Sequence, residues 1–212
     1  VDEQRRSRRW GIFFKLLMFA YLITLLLLWM PEKLPDTGLK MSDEHTALVD
    51  VKGVIADDAE ASADSVITGL RDAFEDKKTK GVIVRINSPG GSPVQAAYIY
   101  DEIRRLKKAH PDIPIYAVVT DICASGGYYI AAAADEIYVN ESSVVGSIGV
   151  LMSSFGFVDG MERLGVERRL MTAGEHKGIL DPFSPLDDFG RDHVQTMLQD
   201  IHQQFIESVR KG

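Results

Sequence analysis

The sequence predicts an α/β domain built on a mostly parallel sheet and preceded by an apolar N-terminal helix. From residue 46 onward, short apolar stretches rich in β-branched residues alternate with longer amphipathic stretches. This alternation is typical of strand–helix–strand crossover units, which produce parallel sheets. Hydrophobic residues make up 45% of the 212 residues, so the chain can bury one sizeable core and still carry an appendage.

Each element of the domain has a local signature. Residues 46–55 and 81–87 are short runs rich in valine and isoleucine, as buried strands are. Residues 62–78 repeat apolar positions at helical spacing, and Pro93 suits the first turn of the next helix. In chain order, we predict strands over residues 46–55, 81–87, 113–120, 136–140, 148–152 and 167–171, and helices over residues 62–78, 93–109, 125–134, 157–164 and from about 187 onward.

The N-terminal segment is first basic and then apolar. Residues 1–30 carry five basic and two acidic side chains, a balance of +3, which leaves −10 for the remainder of a chain whose total is −7. Residues 12–30 contain one charge, Lys15, and as a helix they are long enough to cross one hydrocarbon core. We therefore predict a basic cytoplasmic segment over residues 1–11, a transmembrane anchor in membrane lipid over residues 12–30, and a linker over residues 31–46.

A cleaved signal peptide is the alternative to an anchor. Such a peptide has a shorter apolar region followed by small residues at its cleavage site, whereas Trp29, Met30 and Pro31 follow this one. The sequence therefore favours an uncleaved anchor. Because an arginine cluster precedes the apolar run, the positive-inside rule puts the N-terminus in the cytoplasm and the large domain across the membrane.

The acidic balance of the domain argues against nucleic-acid binding, which requires a clustered basic face.

Cys123 is the only cysteine in the sequence, so there is no disulfide framework. Its position beside an apolar strand favours a small buried side chain over a reactive thiol.

Two glycine-bearing loops follow predicted strands, which is where the chemistry of parallel sheets gathers. Residues 87–92 read Asn-Ser-Pro-Gly-Gly-Ser, and residues 124–127 read Ala-Ser-Gly-Gly. Ser125 precedes a predicted helix, so it is either an N-cap or a nucleophile whose oxyanion would meet free backbone N–H groups. The other loop could supply a second N–H. Neither loop has the spacing of a dinucleotide fingerprint or a P-loop.

A nucleophilic serine needs a base, and residues 172–183 offer both His176 and Lys177 after a predicted strand. A free lysine has a pKa of about 10.4, and it can act as a base only if burial lowers that pKa by several units. The residues alone leave the choice between the two open. The remaining histidines are interpreted as solvated surface residues: His45, His110, His193 and His202.

Four motifs occur in a fixed order along the domain. They are Asn87-Ser-Pro-Gly-Gly91, Ala124-Ser-Gly-Gly-Tyr-Tyr129, Gly146-Ser-Ile-Gly-Val150, and Gly174-Glu-His-Lys177 with Asp181-Pro-Phe183. Together they resemble the signal peptide peptidase A family of membrane-anchored serine proteases. The resemblance implies a ClpP/crotonase-like fold over residues 47–212. Members of that family continue with a glycine-rich segment, so we expect this domain to be C-terminally incomplete.

The resemblance also implies roles for individual residues. Ser125 matches the nucleophile, and Lys177 matches the general base of a Ser–Lys dyad. Gly126 and Gly91 match the residues whose N–H groups form the oxyanion hole. Ser147 matches a serine that hydrogen-bonds the lysine amine, although a turn serine before a strand would look the same.

The expected function is therefore a serine endopeptidase that degrades remnant signal peptides and other short apolar peptides through an acyl-enzyme, with no metal or cofactor. The resemblance further implies a homo-oligomeric ring in the bacterial inner membrane, with the catalytic domain on the periplasmic side. Two alternatives remain. A crotonase-type enzyme acting on CoA thioesters would need acidic catalytic residues and a cytoplasmic location. A catalytically silent membrane scaffold would use the glycine loops only for packing.

Overall fold

The computed structural model describes residues 2–29 and 44–212. The chain separates into two compact units, Val1–Asp43 and Glu44–Gly212. In the first unit, helix α1 spans Asp2–Trp29. Its apolar side chains from residue 14 to residue 26 are exposed.

The predicted anchor is not confirmed by the structure. Among the helices formed by the described residues, none combines the length and the apolarity that crossing a membrane requires. Met30, the last residue of the predicted anchor, lies outside the described residues, as does most of the predicted linker over residues 31–46.

The second unit is built on a parallel sheet in which four strands lie in the order in which they occur along the chain, and a fifth strand pairs with the end of the third. The strands are β1 (His45–Lys52), β2 (Thr79–Ser88), β3 (Ile115–Ala124), β4 (Glu136–Tyr138) and β5 (Val144–Gly146). The helices are α2 (Ala63–Glu75), α3 (Pro93–Ala109), α4 (Gly126–Ala131), α5 (Val158–Arg163) and α6 (Asp188–Lys211). The predicted α/β class with a parallel sheet is confirmed.

The core lies between one face of the sheet and helices α2, α3 and α4. Strand residues in matching register, such as Val51 and Ile86, are fully buried there, and Leu70 and Ile103 cover them from the helices. Each such side chain contributes about 1.5–3 kcal/mol on burial. The core therefore fixes the sheet and the helix starts that follow its strands.

Side-chain caps set where three of the helices begin. Ser62 accepts a hydrogen bond from the amide nitrogen of Ser65 at 3.4 Å, and Ser92 accepts one from Gln95 at 3.4 Å. Asp187 caps α6 in the same way. These bonds satisfy N–H groups that a helix leaves free at its start. The cap at Ser92 starts α3 directly after the Gly90–Gly91 pair.

The predicted strands over residues 148–152 and 167–171 are wrong. Gly146 and Ser147 have φ values of 108° and 57°, and these two left-handed residues turn the chain away from β3. The segments that follow find no neighbouring strand in the described sheet, and Leu151 and Met171 are 84% and 92% exposed. Apolar and β-branched side chains are compatible with a strand, but a strand needs a partner.

Candidate active site

Ser125 occupies the turn between β3 and α4 in a strained conformation. Its φ of 51° and ψ of −120° lie in a sparsely populated region that costs a residue with a Cβ about 1–3 kcal/mol. Its amide nitrogen donates to the carbonyl oxygen of Gly146 at 2.8 Å, and its carbonyl accepts from Tyr129 at 2.9 Å. The side chain stands at the N-cap position but makes no capping hydrogen bond. The backbone is thus fixed on both sides while the hydroxyl is not used by the helix.

The Gly90–Gly91 pair forms the second loop of the site. Ile55 donates its amide hydrogen to the Gly90 carbonyl at 2.9 Å and accepts from Ser92 at 2.8 Å. A Cβ on Gly91 would overlap the carbonyl of Ile55, and its φ of 153° also favours glycine. Because the described peptide bonds are trans, the Gly91 N–H points opposite to the Gly90 carbonyl and therefore away from Ile55.

The two loops meet beside Ser125. A Cβ built on Gly126 would lie 3.4 Å from the Gly91 nitrogen, and one built on Gly90 would lie 2.8 Å from the Gly126 nitrogen. Among the described residues, neither the Gly91 nor the Gly126 N–H has a hydrogen-bond acceptor. The structure therefore brings Ser125, Gly126 and Gly91 together, with two unpaired N–H donors at a helix start, an arrangement that suits a negatively charged oxygen.

Ser147 lies alongside Ser125 because of the short strand β5. The register pairs Ala124 with Gly146, and the Gly146 carbonyl holds the Ser125 amide. Ser147 follows directly and is exposed, with a φ of 57°. A positive φ is uncommon for a residue other than glycine, and Ser147 shares this feature with Ser125.

Lys177 and His176 are not brought to this group of residues. Both are exposed in the turn region before α6, and the side chain of Lys177 bonds to none of the described residues. The ring of His176 stacks on Phe189, with 3.9 Å between the ring centroids. The burial that a lysine base requires is therefore not present in this single chain, and the pairing of Lys177 with Ser125 stays a prediction.

Cys123 precedes the site in β3 and is completely buried. This burial raises the pKa of its thiol to about 12, because a thiolate is poorly solvated in an apolar interior. The predicted role as a small buried side chain is confirmed. The thiol is therefore unsuited to serve as a nucleophile.

Helix α6 packs behind the helix that begins at Gly126. The hydroxyl of Tyr129 lies 2.7 Å from Oγ of Ser208, and Tyr100 donates to the carbonyl of Ser208 at 2.8 Å. The ring of Tyr129 also packs on Phe205, with 4.9 Å between centroids. Tyr129 thus fixes α4 against α6, and Tyr128 also packs against the core.

Sequence reasoning missed two backbone contributors to the site. Ile55 was predicted at the end of a strand, but β1 ends at Lys52 and Ile55 forms an isolated parallel bridge with Gly91. Gly146 holds the Ser125 amide from β5, a strand of three residues. Its occurrence in the third motif was the one available signal, because so short a strand has no readable periodicity.

Two protein-family models match the chain. The Clp protease family matches residues 45–144, which include strands β1 to β4 and both glycine loops, and Peptidase family S49 matches residues 107–212. The parallel sheet thus fits a ClpP-like fold. The chain belongs to peptidase family S49, the signal peptide peptidase A family, as its motifs predict.

Three relatives show how much of the chain is matched. A Na(+)/H(+) antiporter NhaA of Brucella melitensis is 46% identical over 142 residues, 67% of this chain and 19% of that protein. A putative signal peptide peptidase SppA of Enterococcus faecium is 34% identical over 179 residues, which are 81% of this chain and 52% of that protein. Protease 4 of Haemophilus influenzae is 33% identical over 170 residues, which are 78% of this chain and 27% of that protein. The chain therefore spans about half or less of the length of these relatives.

Proposed function

We propose that this protein is a serine endopeptidase whose nucleophile is Ser125. One observation carries the proposal: the N–H groups of Gly91 and Gly126, which have no acceptor among the described residues, lie beside a serine held in a strained turn. Donors fixed before the reaction stabilise charge that develops in the transition state, and such donors are worth about 10²–10³ in rate each. Relatives named as proteases support the same reaction class.

In the proposed mechanism, neutral Lys177 removes the hydroxyl proton of Ser125, and Oγ attacks the peptide carbonyl. The N–H groups of Gly91 and Gly126 bind the oxyanion. The leaving amine takes the proton from Lys177, and a water activated by the same lysine then hydrolyses the acyl-enzyme. Ser147 would orient the lysine amine. The motif resemblance supports the choice of Lys177, which acts only when its loop is buried against the site.

The proposed substrates are remnant signal peptides and other short apolar peptides. The name of the Enterococcus faecium relative, putative signal peptide peptidase SppA, supports this class of substrates. We propose the inner membrane as the location, with residues 12–30 as anchor and the domain on the periplasmic side. The apolar composition of residues 16–28 supports this location. Carbonate extraction of membranes and a periplasmic reporter fused after residue 212 would test it, and recovery in the soluble cytoplasm would contradict it.

A homo-oligomer is proposed as the working assembly. Between β5 and α6, large apolar side chains such as Phe155 and Leu164 are 76% and 80% exposed, and monomers rarely leave extended apolar patches uncovered. Light scattering coupled to gel filtration would give the mass in solution. A monomer at micromolar concentration would contradict the proposal.

Peptide hydrolysis by matched variants tests the dyad. We expect Ser125→Ala and Lys177→Ala to abolish cleavage, while His176→Ala retains it. Lys78→Ala and Ser153→Ala remove an exposed lysine and an exposed serine that the proposed mechanism does not use, and they should retain full activity. Activity lost in His176→Ala but kept in Lys177→Ala would contradict the dyad. No cleavage by any variant or by the wild type would favour the scaffold.

A further inference from the structure

Ser88 lies under the glycine loop and is fully buried. Its hydroxyl donates a hydrogen bond to the carbonyl oxygen of Gly53 at 2.6 Å and accepts one from the amide nitrogen of Gly90 at 3.1 Å. One side chain thus connects the segment after β1 to the first glycine of the loop. The bond to Gly90 is buried, which makes a missing partner costly.

The hydrogen bonds on both sides of Gly90 hold the neighbouring Gly91 N–H in one direction. The Ser88 hydroxyl holds the N–H of Gly90, and Ile55 holds its carbonyl. The orientation of the Gly91 N–H follows from that carbonyl, because the two belong to one planar peptide unit. Gly90 and Gly91 have φ values of 98° and 153°, and glycine has many other conformations available. Hydrogen bonds from residues outside the two glycines must therefore select the observed conformation.

Ser88 also contacts the opposite wall of the site. A shift in register after Ile86 pairs Ser88 with Cys123, just before the Ser125 turn. A Cβ built on Gly127 would lie 3.1 Å from the Ser88 carbonyl oxygen and 3.4 Å from its Cβ. Gly127 follows Gly126 in α4, so Ser88 lies close to the backbone of the turn that carries the second N–H donor.

We propose that Ser88 is a positioning residue that aligns the Gly91 N–H with the Gly126 N–H for oxyanion binding. This inference rests on the proposed peptidase function. Ser88 does not touch the substrate, and its effect is exerted through Gly90. Displacement of a catalytic group by about 1 Å can cost about 10² in rate. The loss should appear in kcat and only weakly in KM, because the ground-state substrate carbonyl depends little on the oxyanion donors.

The test compares Ser88→Ala with Ser92→Ala in the full chain. Ser92 belongs to the same loop, but its hydroxyl caps α3 and does not bond to Gly90. The rate of Ser125 modification by a fluorophosphonate is measured together with kcat and KM for a peptide. We expect Ser88→Ala to lose at least tenfold in labelling rate and kcat, with KM changed less than threefold, and Ser92→Ala to keep both rates. Equal labelling rates in Ser88→Ala and the wild type would overturn the proposal.

A second readout separates this inference from the proposed function. Hydrogen exchange at the Gly90 amide should accelerate at least tenfold in Ser88→Ala and stay unchanged in Ser92→Ala. If the wild type is labelled no faster than Ser125→Ala, the peptidase function fails, and unchanged exchange at Gly90 would independently overturn the role of Ser88. If Ser88→Ala fails to fold while Ser92→Ala folds, the positioning role is also overturned, because Ser88 would then have a general structural role.

Discussion

Gly90 and Ser125 face each other so closely that only one of them can carry a side chain. A Cβ on Gly90 would lie 2.7 Å from the Cβ of Ser125, well inside the contact distance of two carbons. Ser125 is the residue that has the Cβ, even though its own φ of 51° favours glycine. The turn thus accepts strain at the one position whose hydroxyl has a chemical use.

Ser125→Gly should be more stable than Ser125→Ala. Both variants lose the hydroxyl, but only glycine relieves the strained φ and ψ, and we expect a difference of about 1 kcal/mol in the free energy of unfolding. Urea denaturation of the two inactive variants measures it directly. A glycine variant less stable than the alanine variant would show that the backbone at Ser125 is unstrained.

Gly91→Ala should remove both activity and stability. The new Cβ would overlap the Ile55 carbonyl and force the loop to move, which we expect to cost at least about 2 kcal/mol. Peptide hydrolysis and thermal unfolding measure the two effects. Gly149→Ala is the matched control, because open space surrounds that position. Wild-type activity in Gly91→Ala would exclude the Gly91 N–H from the site.

Glu102→Gln should destabilise the domain at neutral pH. Hydrogen bonds from Arg105 and Arg71 lower the pKa of the Glu102 carboxyl from its usual 4.5 to about 2. Since the folded-state pKa is the lower one, the stabilisation is present above pH 4.5 and is lost as the pH falls towards 2. Both arginines are half-exposed, so we expect a loss of about 2 kcal/mol rather than the full value of the shift.

Urea denaturation of Glu102→Gln between pH 2 and pH 7 checks this expectation. The difference from the wild type should shrink as the pH falls through this interval. Glu141→Gln, at an exposed position, should match the wild type throughout. A difference independent of pH would assign the loss to packing instead of charge.

Cys123 should be inert in the folded protein. Its thiol is completely buried and its pKa is raised to about 12, so the reactive thiolate is scarce at neutral pH. A colorimetric disulfide reagent should modify it only as fast as the domain unfolds, and at once in denaturant. Since the sequence has one cysteine, the readout is unambiguous. Stoichiometric modification of the native protein within minutes would contradict the burial.

Much of the site can be predicted from the sequence because the strand, loop and helix that form it are continuous in the chain. The strand before Ser125 and the helix after it have clear periodicities, and parallel strands bring their following loops to one edge of the sheet. The proximity of Gly91 to Gly126 follows from this topology. The conformation of Ser125 does not, because a capping serine and a strained serine look the same in sequence, and Gly90, Ile55 and Gly146 decide between them.

The region from residue 147 to residue 187 is the least predictable. Apolar runs over residues 148–152 and 167–171 match strand composition, yet strand formation depends on neighbours that the pattern does not encode. The position of Lys177 depends on this region, so its proximity to Ser125 could not be derived from local signals. Family resemblance assigns the lysine its role, whereas the physical requirement, burial, depends on tertiary contacts.

The bonds from Tyr100 and Tyr129 to Ser208 join positions 108 and 79 residues apart in sequence. A chain is synthesised from its N-terminus, and contacts between distant residues form late in folding. Helix α4, which carries the Gly126 donor, therefore receives its final packing only after α6 has emerged from the ribosome. The order of synthesis thus postpones the final packing of the Gly126 donor until α6 is available.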